Sequence, residues 1–147
     1  MARFVRSMIG YNDPVAVPWR VKASTTINEG DLVALDATTR YLIPAVAAST
    51  ALVGVAQQSI TTGATVTEDD AIPVIPLTDV VIRIEYAGTT KTTLADTDLV
   101  TTLFDLTDAN TMNLDDTTGG MCSVVDYDNT RKTADVIIAD AAIKKIG

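Results

Sequence analysis

Histidine is absent from this chain of 147 residues, which removes the side chain that most often acts as a base near neutral pH and most often binds zinc. A Ser-His-Asp or Cys-His catalytic arrangement is therefore impossible. Cysteine occurs once, as Cys122, so the chain can form no internal disulfide and no thiolate metal cluster by itself. Because it lies between Met121 and the segment Ser123-Val124-Val125, we interpret Cys122 as a small buried residue on a strand.

Aromatic residues are also scarce, with 1 Trp, 4 Tyr and 2 Phe, whereas surfaces that stack sugars or single-stranded nucleic acid usually expose several. Long apolar runs are missing, since the longest one, residues 41–56, is interrupted by Pro44 and Gly54. The first residues lack the apolar region and the cleavage site of a signal peptide. We expect a folded, soluble protein that has no membrane partner and no export signal of its own.

Acidic residues outnumber basic ones, 19 to 11, and the formal net charge is -8. Such a protein repels phosphate backbones and anionic membranes, so nucleic acid is not an expected partner. The charge is unevenly placed, because residues 1–22 carry four basic side chains against Asp13 alone. We therefore expect this first segment to differ in its role from the rest of the chain.

Sequence motifs for phosphate binding and for a nucleophilic serine are missing, since G-x-G-x-x-G, G-x-x-x-x-G-K-[ST] and G-x-S-x-G do not occur. An EF-hand loop begun at Asp126 would need Gly at its sixth position and Glu at its twelfth, where Arg131 and Ile137 stand. We interpret the aspartate clusters as solvated turn residues, in preference to a calcium site or a glycosidase pair. The sequence predicts no enzyme, no catalytic residue, no cofactor and no metal site.

The composition favours strands, because 51 of the 147 residues are Thr, Val or Ile, which suit a pleated surface better than a helix. Apolar residues alternate along residues 15–23 and 80–84, which is the period of a strand. Turn residues bound further predicted strands at residues 32–35, 41–44, 52–57, 72–77, 79–87, 99–106, 111–114, 121–127 and 135–139. Helix is limited to short possibilities at residues 95–103 and 140–146.

We predict from these patterns an all-β, barrel-like fold with an extended N-terminal arm and a second β-rich lobe. Residues 1–22 form the arm and the first strand, residues 23–88 the barrel-like lobe and residues 89–147 the second lobe, with a polar connector at residues 89–98. One continuous domain over residues 23–147 is the alternative. Pro73 and Pro76 predict that the strand at residues 72–77 lies at a sheet edge.

The arm interleaves apolar and cationic side chains before the first confident strand. In one interpretation it packs on the chain's own core as a first strand or helical turn. In the other it lies across a neighbouring protein, pairs with an exposed strand edge and offers its arginines to acidic groups. Trp19, on the strand that follows, is a core or subunit-contact residue. The candidate contact residues are Arg3, Phe4, Val5, Arg6, Met8, Ile9, Tyr11 and Trp19.

Three segments carry a family resemblance: INEGDLVALD at residues 27–36, YLIPA at residues 41–45 and LVGVA at residues 52–56. They resemble capsid decoration (cement) proteins of tailed bacteriophages, in which a Gly-Asp turn starts an apolar strand and a polar hairpin leads to a strand ending near Pro-Ala. The match covers about residues 23–87. The segments FDL at residues 104–106 and VVDYD at residues 124–128 are more loosely similar to the C-terminal β portion of phage structural proteins.

The resemblance implies a small β-tulip domain and a structural role. Proteins of this family bind the outer surface of the mature capsid and stabilise it by bridging capsomers, commonly as homotrimers. The implied partners are the phage major capsid protein and sister subunits, and the implied location is the virion surface after synthesis in the host bacterial cytoplasm. The alternative is a phage tail, baseplate or head-fibre protein that recognises a host-surface glycan.

Overall fold

The computed structural model describes residues 1–8 and 15–144. These residues are all-β, which confirms the predicted fold class: they form thirteen strands and two 3-10 helices, Asp96–Asp98 and Asp140–Ala142. None of the described helices is long and apolar enough to span a bilayer. The strands are β1 Arg3–Ser7, β2 Val17–Arg20, β3 Thr26–Ile27, β4 Leu32–Leu35, β5 Leu42–Pro44, β6 Leu52–Ala56, β7 Ile60–Thr61, β8 Ala71–Pro76, β9 Val80–Ala87, β10 Leu103–Asp108, β11 Thr111–Asn113, β12 Cys122–Asp128 and β13 Thr133–Ile138.

The first sheet has the strand order β2-β8-β6-β4-β5, and all its pairs are antiparallel. Its two outer strands approach each other, because Val21 just after β2 forms a bridge with Leu42 of β5. Strands β3 and β7 pair separately. A cluster of buried side chains that includes Val33, Val53 and Ile72 fills the interior, and Trp19 packs against it.

The second sheet has the order β1-β9-β11-β10-β12-β13, and a further pairing of β9 with β13 closes five of these strands into a barrel. Val80, Ile82, Ile84 and Tyr86 of β9 alternate into the core, as the apolar alternation at residues 80–84 predicts. Strand β1 stays outside the closed barrel, where it pairs with Val80–Arg83, the first half of β9.

A single apolar cluster joins the first sheet to the barrel, since it contains Leu32 and Leu52 together with Ile82 and Phe104. The backbone adds to this junction: the Leu32 N–H donates to the Ala109 carbonyl at 2.6 Å. Strand β9 belongs to the barrel although it precedes residue 88. The division of the chain into lobes at that residue stays a prediction.

The prediction that the strand at residues 72–77 is an edge is wrong, because β8 lies between β2 and β6. Pro73 lies opposite Pro18 of β2, and this pair has no N–H to exchange. Just beyond the end of β6, the Gln57 N–H donates to the Pro73 carbonyl at 2.9 Å. Pro76 lies opposite Gly54 of β6. Because Pro18 and Pro73 face each other, their missing N–H groups remove few hydrogen bonds from the sheet.

Strand β10 begins at Leu103, four residues later than predicted. The reason is a tight turn at Val100, which has a φ of 64°, while the Thr101 N–H donates to the Leu99 carbonyl at 2.7 Å. This i to i+2 bond around a left-handed residue is a γ-turn, which interrupts a strand. Of the predicted helical stretch at residues 95–103, only Asp96–Asp98 is helical.

Candidate functional site

Strand β1 forms an outer edge of the second sheet and carries half of the predicted contact residues: Arg3, Phe4, Val5 and Arg6. Among the described strands β9 is its only partner. Its backbone on the other side therefore lies at the sheet margin, a position at which proteins accept an added strand. We call the segment Arg3–Ser7 the β1 edge.

A β-bulge places both arginines of the β1 edge on one face. Arg3 lies opposite Arg83 and Arg6 opposite Val81, with a register shift between Phe4 and Arg6. Arg83 and Val81 are two residues apart and share a face of β9, so Arg3 and Arg6 share it too. In a regular strand, residues three apart would point to opposite faces. Both arginines are exposed, and neither forms an ion pair with a described residue.

The structure brings only part of the predicted contact set together. Phe4 lies opposite Ile82 and packs, partly buried, against the main core, while Met8 is 48% exposed. Val5 is partly buried in β1. Trp19 lies on the first sheet, where its indole N–H donates to the Arg40 carbonyl at 3.1 Å. Two further predicted contact residues, Ile9 and Tyr11, lie outside the described residues.

A polar cleft of about 520 Å³ lies beside the β1 edge on the same outer face. Its floor is a row of charges in register across four strands: Asp126 of β12 lies opposite Asp135 of β13, which lies opposite Arg83 of β9, which lies opposite Arg3 of β1. The row changes from acidic to basic along its length. The residues that line the polar cleft are Arg3, Arg83, Asp126, Tyr127, Asp128, Asn129, Arg131, Thr133 and Asp135.

The centre of this floor is a two-point ion pair. Arg83 Nε donates to Asp135 Oδ1 at 2.6 Å and Arg83 Nη2 donates to Asp135 Oδ2 at 2.9 Å. The hydrogen bond and the negative charge of Asp135 raise the pKa of Arg83 above its usual value. Such a planar pair fixes both side chains in one geometry. The floor is therefore charged but internally balanced.

One wall of the polar cleft is held by turn and connector contacts. The Asp128 carboxylate accepts the N–H groups of Arg131 at 3.0 Å and Thr130 at 2.9 Å, which lowers the pKa of Asp128. The Tyr127 hydroxyl donates to Asp96 Oδ1 at 2.8 Å, and this bond raises the pKa of Tyr127. These contacts fix the wall that adjoins the β12–β13 turn.

Asn129 anchors the same turn to the connector. Its Nδ2 donates to the Leu94 carbonyl at 2.9 Å, and its Oδ1 accepts the Leu94 N–H at 2.9 Å. The buried Tyr86 hydroxyl also donates to Asn129 Oδ1. The side chain is therefore held by three hydrogen bonds, and it serves the cleft by holding its rim in place.

Arg83 and Asp135 were not predicted as site residues, and Asp126 and Asp128 were interpreted as turn residues in preference to a calcium site or a glycosidase pair. The turn role is confirmed for Asp128, whose carboxylate caps its own turn. A signal for Arg83 did exist, because inward residues at 80, 82 and 84 place residue 83 outward. Its alignment with residues 126 and 135 depends on strand register, which no local pattern reveals.

The described part of the chain holds no group of three or more Cys, Asp or Glu residues that could bind a metal ion. Cys122 is fully buried in β12, as predicted, and burial raises the pKa of its thiol to about 12. A thiol with such a pKa is almost entirely protonated at neutral pH and is a poor nucleophile. The arrangement offers hydrogen-bond donors and acceptors on a fixed surface.

No protein-family model matches the chain, and no curated protein matches its sequence. The β1 edge and the polar cleft are therefore the two features on which a functional proposal can rest.

Proposed function

We propose that this protein is a bacteriophage capsid decoration protein, which binds the outer surface of the mature capsid and stabilises it by bridging capsomers. The observation that carries the proposal is the β1 edge, a strand with one described partner that presents Arg3 and Arg6 on one face. A capsid strand can add to this margin by backbone hydrogen bonds, while its acidic side chains meet the two guanidinium groups.

The rest of the molecule suits a binding role. Its net charge of -8 keeps it soluble, and the arginines of the β1 edge are an exception to this acidic character. The core shared by the first sheet and the barrel gives a rigid body, which a protein that bridges capsomers needs. A role without catalysis also agrees with the lack of histidine.

On the capsid we propose a homotrimer whose partners are the phage major capsid protein and sister subunits, at the virion surface. Three contacts of modest strength raise the avidity of a ring by about 10² to 10⁴ over one contact. Weak single contacts at each β1 edge are therefore sufficient for firm attachment.

Attachment is tested by co-sedimentation with expanded capsids of the source phage that lack the protein. The double variant Arg3→Glu/Arg6→Glu keeps the apolar side chains of β1 and reverses the two charges. We expect it to lose most of its occupancy, because the glutamates repel the acidic groups of the partner. The matched control is Arg40→Glu/Lys144→Glu, which reverses two exposed charges elsewhere and is expected to bind normally.

Two results contradict the proposal at different levels. Normal occupancy of the Arg3→Glu/Arg6→Glu variant refutes the role of the arginines, and deletion of residues 2–12 then tests the whole arm. Absence of wild-type protein from the capsid pellet refutes the decoration function itself.

The polar cleft favours a second candidate function, a tail, baseplate or head-fibre protein that recognises a host-surface glycan. Its lining combines residues that carry carboxylate, amide, hydroxyl and guanidinium groups, a set that hydrogen-bonds to sugars. Purified particles distinguish the candidates, because a decoration protein is present in stoichiometric numbers on the capsid shell.

A further inference from the structure

We infer that the polar cleft is a binding site for a neutral saccharide. This inference deepens the second candidate function and is tested separately from capsid attachment, with which the polar cleft shares Arg3. The volume of about 520 Å³ falls within the range of about 300–1,000 Å³ that is usual for small-ligand sites. The lining is mainly polar, so the ligand must supply many hydrogen bonds.

The charge of the lining selects for a ligand without net charge. Three arginines and three aspartates line the polar cleft, so a bound anion or cation would meet as many repelling groups as attracting ones. The hydroxyl groups of a sugar donate to carboxylates and accept from guanidinium groups, so neighbouring hydroxyls can use both kinds of partner at once. A neutral polyhydroxylated molecule therefore fits this lining better than a phosphate or an amine.

The lining also has free binding capacity at its rim and at the acidic end of its floor. The Arg131 side chain is 79% exposed and reaches Asp128 only at 3.8 Å, which is beyond hydrogen-bond distance. Asp126 is exposed, and among the described residues its carboxylate accepts one hydrogen bond, from the Tyr127 N–H at 2.9 Å. These two groups can bind a ligand without breaking the Arg83–Asp135 pair.

The floor and wall are preorganised, which lowers the entropy cost of binding. Arg83 and Asp135 lie on paired strands of the closed barrel and fix each other. Tyr127 packs against the main core and its hydroxyl donates to Asp96, so this part of the wall has little freedom to move.

The test is an amide NMR titration of the full chain with lactose, maltotriose and diacetylchitobiose, each up to about 10 mM, since single saccharide sites bind at about millimolar strength. We expect at least one of these sugars to shift the amide signals of Tyr127, Asp128 and Thr133. Sialyllactose, inorganic phosphate and spermidine are the charged comparison ligands.

The variant Asp126→Ala/Arg131→Ala leaves the net charge unchanged and removes the two groups that have free binding capacity. We expect it to weaken binding by roughly tenfold or more, about the effect of losing one or two hydrogen bonds to charged groups. The matched control Asp69→Ala/Lys144→Ala removes one exposed acid and one exposed base elsewhere and is expected to bind as wild type. Near-native amide spectra of both variants establish that they fold.

Three outcomes overturn the inference: no neutral sugar shifts the cleft signals, only a charged ligand does, or the Asp126→Ala/Arg131→Ala variant binds as tightly as wild type. Capsid co-sedimentation is scored separately. A protein that binds sugar but no capsid refutes only the decoration function, and one that binds capsid but no sugar refutes only this inference.

Discussion

Single aspartates determine much of the loop structure. The carboxylate of Asp115 accepts the N–H groups of Thr89 at 2.5 Å and Lys91 at 2.7 Å, and so fixes the start of the connector between β9 and β10. These bonds hold the pKa of Asp115 well below its usual value of 3.8. Asp36 has a lowered pKa for a related reason, its bonds with Lys22 and Thr39.

We predict that Asp115 contributes to a loss of stability in acid. A group whose pKa is lowered by folding stabilises the native state fully above its unfolded pKa. This contribution is lost progressively as the pH falls from the unfolded pKa through the lower pKa of the folded state. Asp115→Asn should therefore be less stable than wild type at pH 7, and the difference should shrink below about pH 4. Urea unfolding between pH 7 and pH 2 measures both effects.

Asp69→Asn is the control for this prediction, because Asp69 is exposed and no side-chain hydrogen bond to a described residue is recorded for it. Its stability should follow the wild-type curve at each pH. A constant difference between Asp115→Asn and wild type across the pH range would show that the charge of Asp115 has no part in the effect.

At the scale of elements, the sequence predicted which segments form strands better than it predicted which strands pair with each other. Alternation gave the buried side of β9, and turn residues bounded β4, β5 and β6 close to their observed limits. The edge position predicted from the prolines of β8 was wrong, because the number of hydrogen bonds that a proline removes depends on the strand opposite it. The polar cleft could not be predicted for the same reason, since it depends on the register of four paired strands.

Gly54 is the residue of β6 that permits close packing against β8. A Cβ at this position would collide with the Val74 side chain and the Ile75 carbonyl oxygen, whereas a Cβ at Gly63 would meet nothing within 4 Å. We predict that Gly54→Ala lowers the free energy of unfolding by about 1–3 kcal/mol, as overpacked sites do. Gly63→Ala should change it by less than about 0.5 kcal/mol.

Denaturant unfolding followed by circular dichroism measures both glycine variants. Equal stability of the two variants would contradict the assigned contact between β6 and β8.

At the scale of the whole molecule, polar contacts reinforce the apolar junction between the first sheet and the barrel. Asp105, which is 2% exposed in β10, accepts the Ala48 N–H of the β5–β6 loop at 2.9 Å. Asp31, 4% exposed, accepts from Asn110 Nδ2 at 3.2 Å. Burial makes such bonds costly to break, so the two parts are expected to unfold together.

We predict that damage to the barrel destabilises the first sheet equally. Phe104 is 1% exposed in the shared cluster, and Phe104→Ala should cost about 3–5 kcal/mol. Trp19 lies on the first sheet and serves as its fluorescence probe. The Trp19 midpoint in urea should fall together with the circular dichroism midpoint, and an unchanged Trp19 transition would show that the two parts unfold independently.

The pairing of β1 with β9 also sets an order of events during synthesis. Arg3 leaves the ribosome 80 residues before its partner Arg83, a delay of roughly 4–16 s at the rate of ribosomal elongation. During that interval both margins of the nascent strand are unsatisfied, and Phe4 has no barrel to pack against. A chaperone that binds short apolar and basic segments would find its target in the β1 segment of the growing chain.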